Sequence, residues 1–219
     1  MGKALDYAKY FIKGGFDSNP NTYDGNMKLN KLLVFADLIS MAENHKPLFD
    51  DKVLAFVNGC VVENVRQEYK TNYHQLKEQS EGPVNIAPED KKILDLTTGI
   101  FGNLTARELS ELNHQFSFWQ STYHAGTDSN GYHNKAQSEV SLTDMEAELG
   151  KVKAVISAYK ETQQLNEQAE IINGVYFYYD PDELHMTDSV IDQLEVVANK
   201  AENGDSFSVY LDNGKLVVY

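Results

Sequence analysis

A single cysteine, Cys60, stands in 219 residues. No intrachain disulfide can form and no cysteine-based metal knuckle exists, so a hydrophobic core must supply the stability. Long apolar runs are missing as well. Nowhere do about 18 apolar residues follow one another, and a transmembrane helix is excluded. The opening MGKALDYAKYFIKGG is charged from residue 3 and broken at Gly14-Gly15, unlike a secretory signal. Asp6 fills the position where a myristoylation signal needs Ser or Thr. Positive charge is scarce: 19 Lys and Arg stand against 33 Asp and Glu, a net charge of −14 at pH 7. Phosphate backbones and anionic lipid repel such a chain, so neither nucleic acid nor membrane is an expected partner. The expected compartment is the cytoplasm.

What is present is a core. Hydrophobic residues make up 42% and aromatics 11%, enough to bury a real interior. A first helix is predicted from about Lys3 to Lys13, stopped by Gly14-Gly15. In a second, Leu29, Leu32, Leu33, Ala36 and Ile39 form one stripe, with Lys28 and Lys31 off it, and Pro47 closes the following turn. Val53, Leu54, Phe56 and Val57 make a short apolar segment ended by Gly59; Val61, Val62, Val65 and Tyr69 begin another element at helical spacing. Residues 71–87 read as a connection. Pro88 opens a helix with Glu89 and Asp90 in its first turn, and Thr105 and Glu108 form a capping box before Leu109 and Leu112. Residues 120–140 read as a surface loop, and the longest helix is predicted from Leu142 to about Gln168.

The period then changes. Ile171–Tyr179 is β-branched and aromatic and reads as one strand ended by Asp180-Pro181; a helix follows near Thr187–Ala201. The last fifteen residues read as a hairpin turning at Asn213-Gly214. The predicted fold is therefore mainly α. Residues 1–168 form a compact multi-helix domain, and residues 169–219 form a small α+β unit of strand, helix and hairpin.

Catalytic signatures are weak. His114, His124 and His133, with Asp128 and Glu139 nearby, could serve a metal-dependent hydrolase, but their spacings of 10 and 9 are not those of helical zinc ligands. Cys60, in the apolar run VNGCVV, reads as a small buried hydrophobe rather than a nucleophile. Phosphate-loop and GxSxG patterns are absent, and Asp180, Asp182, Glu183 and Asp188 lack the spacing of a calcium loop. No catalytic residue, metal or cofactor is expected. The aromatics are more informative. Tyr176, Phe177, Tyr178, Tyr179, Tyr210 and Tyr219 concentrate in the final unit. On a sheet with one covered face alternate residues point to the other side, so some of these rings are expected to be exposed as favoured contact residues of protein interfaces. The competing reading is that they pack on the helical domain.

Four segments carry a resemblance: AKYFI (Ala8–Ile12), MKLNKLLVFADLISMAENHKPLF (Met27–Phe49), AFVNGCVVENVRQEY (Ala55–Tyr69) and ELSELNHQFSFW (Glu108–Trp119). Together they resemble the Panacea domain of the SocA-like antitoxin family. Its pattern is an L-x-K-L-L-Y-type helix, then P-L-F, an A-x-x-x-G-P-V-V turn and an L-S-x-L-T-H-x-x-x-x-W segment. Leu29, Lys31, Leu32, Leu33, Pro47, Leu48, Phe49, Ala55, Gly59, Val61, Val62, Leu109, Ser110, Leu112, His114 and Trp119 match it. The likeness spans roughly residues 4–125. The chain departs from the pattern where Cys60 follows Gly59 in place of Pro, where Asn113 precedes His114 in place of Thr, and where Val34-Phe35 replaces an aromatic pair.

The resemblance implies an antitoxin of a two-gene toxin–antitoxin module, often carried by prophages and mobile elements, that neutralises a cognate toxin protein by binding it and is not an enzyme. It also implies an alternative, a proteolytic adaptor that delivers the bound toxin to an AAA+ protease. The expected contact surfaces are the face around Gly59, Val61, Val62, His114 and Trp119, and the tyrosines Tyr176, Tyr178 and Tyr210. For His114 and Trp119 the competing reading is that they pin a loop to the core. Leu29, Lys31, Leu32, Leu33, Pro47, Leu109 and Leu112 are expected to be structural.

Overall fold

The computed structural model describes residues 3–164, 168–212 and 214–219. The elements in chain order are α1 (Ala4–Lys13), α2 (Tyr23–Asn44), β1 (Val53–Phe56), β2 (Gly59–Val62), α3 (Glu63–Glu81), α4 (Pro88–Phe101), α5 (Ala106–Asn113), α6 (Ser117–Ala125), α7 (Leu142–Glu146), α8 (Leu149–Gln164), β3 (Gln168–Ile172), β4 (Val175–Tyr179), α9 (Asp188–Ala198), β5 (Ser206–Asp212) and β6 (Lys215–Val218). The fold is mainly α, with a small mixed sheet at the C-terminal end. The chain divides into two compact units, Met1–Ile156 and Ser157–Tyr219, and the division falls within α8.

The first unit is built around α2. Thr22 caps its start by accepting from the Gly25 N–H at 3.1 Å, and His45 ends it in the left-handed conformation at φ 56°. Helices α1, α3, α4 and α5 and strand β2 all pack on it. Almost every α2 residue from Lys28 to Ala42 is buried, on all sides of the helix. A helix apolar on one stripe only would leave its other residues in water; one surrounded by neighbours must satisfy its polar groups internally. The lysines predicted to lie off the stripe are therefore inside. The Lys28 ammonium donates to the Gly102 carbonyl at 2.8 Å and the Lys31 ammonium to the Cys60 carbonyl at 2.7 Å. The Asp37 carboxylate accepts from the Leu48 N–H at 2.7 Å, and the Ser40 hydroxyl donates to the Lys46 carbonyl.

Several predicted elements change. Residues 53–62 do not enter a helix: β1 and β2 pair as an antiparallel hairpin with Phe56 opposite Gly59, turning at Val57 and Asn58. Helix begins only at Glu63, so Val65 and Tyr69 obey the helical spacing while Val61 and Val62 belong to a strand. The supposed connection after residue 71 is the second half of α3, which kinks at Asn72 (φ −130°, ψ 29°) and ends at Glu81. The loop predicted for 120–140 is helical up to Ala125, and Glu139 pairs with Leu54 along the outer edge of β1. The long helix predicted from Leu142 is broken between Glu146 and Leu149; residues 165–167 at its predicted end lie outside those described. Three expectations hold in detail. Gly14 ends α1, Pro88 opens α4, and at α5 Thr105 accepts from the Glu108 N–H while Glu108 accepts from the Thr105 N–H.

In the second unit the predicted strand 171–179 is two strands. Asn173 (φ 52°) and Gly174 (φ 81°) form the two-residue turn between β3 and β4, with Ile172 opposite Val175. Both residues hold the positive φ that such a hairpin turn requires, which Asn and Gly tolerate best. The sheet order is β3-β4-β5-β6, and β4 and β5 run parallel, joined through α9. Val175, Phe177 and Tyr179 on β4 are buried together with Leu194 and Ala198 of α9 and Val209 of β5. Strands β5 and β6 are antiparallel with Asp212 opposite Lys215; Asn213 of the predicted turn lies outside the described residues.

Burial pushes the Asp37 carboxyl up from 3.8 to about 7, against the pull of the Leu48 and Phe49 N–H groups. The folded chain holds this proton more tightly than the unfolded chain. The resulting stability is fully present below about pH 4 and is lost as pH rises through about 7. Asp37→Asn removes the titration and keeps an acceptor for Leu48. Its unfolding free energy relative to the parent should improve by more than about 1.4 kcal/mol, one pKa unit's worth, between pH 4 and pH 8. Parallel urea-denaturation curves for the two proteins across that range would refute the assignment.

Candidate functional site

Among the described residues strand β2 has no third strand beside it, yet its outer edge is paired at Cys60 and at the Val62 N–H. The Cys60 N–H donates to Asn113 Oδ1 at 2.6 Å, the Cys60 carbonyl accepts from Lys31 Nζ, and the Val62 N–H donates to Asn30 Oδ1 at 2.9 Å. Side chains of α2 and α5 thus replace a neighbouring strand. The outer edge of β1 is met by the chain itself, through Ala55 N–H to the Ser138 carbonyl at 2.8 Å and Val140 N–H to the Val53 carbonyl at 2.9 Å. Gly59 opens β2 at φ 90°, and a Cβ there would stand 2.6 Å from Asn113 Oδ1 and 2.9 Å from Lys31 Cε. Only glycine meets both demands, the positive φ and the close approach.

The residues expected at the contact face divide by burial. Val62 is fully buried, so it shapes β2 and offers no surface. Gly59 and Val61 lie at the wall of a cleft of about 590 Å³. The cleft runs between the N-terminal part of α2, the tip of the hairpin and the first turns of α3. Val57 and Tyr23, 61% and 68% exposed, stand at its rim.

His114 and Trp119 belong to a train of rings along the hairpin. His114 stacks on Trp119 at 3.9 Å, Trp119 on Tyr123 at 5.5 Å, Tyr123 on His133 at 4.8 Å, and Phe56 meets His133 edge-on at 5.7 Å. The Trp119 indole N–H donates to the Phe56 carbonyl at 2.8 Å. These contacts pin α6 to the hairpin, which is the competing reading stated for the pair. Burial and then the Lys31 charge draw the His114 imidazole below its ordinary value, opposed by a hydrogen bond with the Val57 backbone and by Glu111. Among the described residues its buried Nε2 has no hydrogen-bond partner, nor has Nδ2 of Asn113.

The three histidines do not assemble as a hydrolase would need. His133 is spoken for at both nitrogens: Nδ1 by the Thr127 hydroxyl at 2.9 Å, Nε2 by the Ser138 hydroxyl at 2.7 Å and the Ala55 carbonyl at 2.9 Å. His124 is exposed at the end of α6. Among the described residues, no three His, Cys, Asp or Glu side chains come together as a metal centre would require. Burial, with little relief from Lys31, pushes the Cys60 thiol up to about 12, so it is a thiol and not a thiolate at neutral pH.

Sequence residues 29–120 match the family described as the antitoxin SocA-like Panacea domain. Over those residues the chain is similar to a Panacea domain. The matched span takes in most of α2, the hairpin, α3, α4, α5 and the start of α6, and so contains Lys31, Gly59, His114 and Trp119. No curated protein and no solved structure gives a match. Among the described residues, no helix is long and apolar enough to cross a membrane.

In the second unit, Tyr176, Tyr178 and Tyr210 are 38%, 37% and 41% exposed. Ile171 pairs with Tyr176, Tyr178 with Ser208, and Tyr219 with Ser208, so these residues and Tyr210 share the sheet face opposite α9. Tyr210 and Tyr219 meet edge to face at 5.7 Å. Sequence reasoning missed the cleft. Its signals were Arg66 and Lys70, one turn apart on α3, together with the internal Lys31.

Two of the three departures from the Panacea pattern touch each other, since Cys60 donates its N–H to Asn113. A Pro at position 60 has no N–H and needs no acceptor. Asn113→Thr alone should cost about 1–3 kcal/mol by stranding a buried donor. The pair Cys60→Pro with Asn113→Thr should cost at least about 1 kcal/mol less than the sum of the singles. Additive unfolding free energies would show that the contact carries no coupling. Gly59→Ala, strained in φ and in clash, should cost about 2 kcal/mol or more in urea unfolding.

Proposed function

We propose that this protein is a cytoplasmic antitoxin that neutralises a cognate toxin protein by direct, stoichiometric binding and without turnover. The observation that carries this reading is the match of residues 29–120 to the SocA-like Panacea domain, which supports an antitoxin role in general. Two physical features support the finer statement. The net charge of −14 would draw in a basic toxin by long-range steering. The open sheet face bearing Ile171, Tyr176, Tyr178, Tyr210 and Tyr219 offers rigid aromatic side chains, the residue type that carries binding energy at protein interfaces. The tyrosine face is the contact surface in this reading, and the cleft rim at Val57 and Gly59 is a second one. His114 and Trp119 support that rim from behind.

The test is co-expression with the product of the adjacent gene. That product should arrest growth alone and be harmless together with this protein, and the two should purify as a complex. The association rate should fall as salt is raised from 0.05 to 0.5 M (chosen to span about 14 Å to 4 Å of Debye screening). Replacing Tyr176, Tyr178 and Tyr210 together by Ala should weaken the complex at least about tenfold, or 1.4 kcal/mol, with the fold intact. A purified AAA+ protease with ATP separates simple inhibition, in which the toxin persists, from delivery, in which it is degraded faster. Growth arrest unrelieved by co-expression, or saturable turnover of a small compound abolished by one substitution, would overturn the reading.

A further inference from the structure

The cleft beside the β1–β2 hairpin has a composition opposite to that of the chain. Among the described residues its charged lining is Lys31, Arg66 and Lys70, with no Asp or Glu, although the chain has 33 Asp and Glu. The three cations are not equivalent. Arg66 is held by Glu63, with N···O distances of 2.7 and 3.1 Å, a carboxylate that Lys135 shares, and its guanidinium lies 5.3 Å over the Phe56 ring. Lys70 is exposed one turn further along α3. Lys31 is 1% exposed, and among the described residues its ammonium has one acceptor, the Cys60 carbonyl, and forms no ion pair. Although burial draws it down to about 8, it is largely protonated at pH 7.

A buried ammonium facing only a carbonyl carries an uncompensated desolvation cost, and an anion entering beside it would recover part of that cost. The remaining wall supplies flat surfaces. Phe56, Tyr123 and His133 line the cleft and are already locked in the ring train described above. The volume of about 590 Å³ falls within the range of small-molecule sites, which are mostly apolar with a few polar groups.

We propose that this cleft binds a small organic anion, a planar ring bearing one carboxylate or phosphate, with the ring against Phe56, Tyr123 and His133 and the anionic group toward Lys31, under Lys70 at the mouth. The cleft belongs to the first unit and the tyrosine face to the second, and the proposal does not depend on the antitoxin reading. Two pairs of probes isolate the charge: 4-hydroxybenzoate against 4-hydroxybenzamide, and adenosine 5′-monophosphate against adenosine. By calorimetry on the full chain, at least one anion should bind with submillimolar affinity and at least about tenfold more tightly than its neutral counterpart. Lys31→Met, which keeps the side chain out to Cε and removes the ammonium, should abolish that preference. Lys70→Glu changes an exposed side chain, so the protein should keep its melting temperature while the anion binds several-fold more weakly. The proposal is overturned if neither anion outbinds its neutral analogue, or if the preference survives Lys70→Glu and a folded Lys31→Met.

Discussion

The constraint on which the first unit depends is that α2 is buried from every side while carrying Lys28, Asn30, Lys31, Asp37 and Ser40. An unpaired polar group inside costs about 1–3 kcal/mol, as much as a buried leucine contributes, so each of these must find a partner. Each finds main chain outside the helix, at one of three places in the unit. Lys28 takes the carbonyl after α4, Asn30 and Lys31 take the edge of β2, and Asp37 and Ser40 take the turn that follows α2. The polar residues of this helix therefore set where the other elements may lie. The hairpin is held in register by the helix beneath it, and the cleft is the space left between the hairpin tip and the start of α3.

Charge works at two ranges in this molecule. At distances beyond the Debye length of about 8 Å only the summed charge is felt through salt, and that sum is −14. At contact range local groups decide, and in the cleft those groups are cations. A basic protein drawn to the acidic exterior and a small anion seated beside Lys31 are thus compatible, because they respond to different distances. The tyrosine face lies outside this electrostatic division. Its contacts would be apolar and aromatic, with hydroxyls to satisfy at the rim.

Local chemistry was legible where a signal had one reading. The capping box at Thr105 and Glu108, the Pro88 start of α4, the glycine stop of α1 and the stripe of α9 each follow from a rule acting within a few residues. The failures lie where two rules compete. Val61, Val62, Val65 and Tyr69 fit a helical period, and half of that pattern is true, since Val65 and Tyr69 are in α3. The β-branched run before Glu63 is claimed instead by pairing with β1. Asn173-Gly174 carries the same hairpin signal as Asn213-Gly214, but it sits inside a continuous apolar run that masked it. The burial of Lys31 was not legible at all. A lysine off an apolar stripe is ordinarily at the surface, and only packing on every side of α2 places it inside. The candidate site suffered most from this, because the group that gives the cleft its character is that lysine.

The family resemblance and the geometry meet at the hairpin edge. Read as sequence, Cys60 and Asn113 are two unrelated departures from the Panacea pattern, 53 residues apart. In the structure they are one contact. A residue with an N–H at position 60 exposes a donor on an edge that has no neighbouring strand, and in a buried setting that donor must be answered. Asn113 answers it with a side-chain oxygen that also stands 2.6 Å from where a Cβ on Gly59 would be, so the same atom enforces glycine at the turn. The Cys60 N–H is held by Asn113 of α5 and the Cys60 carbonyl by Lys31 of α2, so both polar groups of the residue after Gly59 are tied to helices.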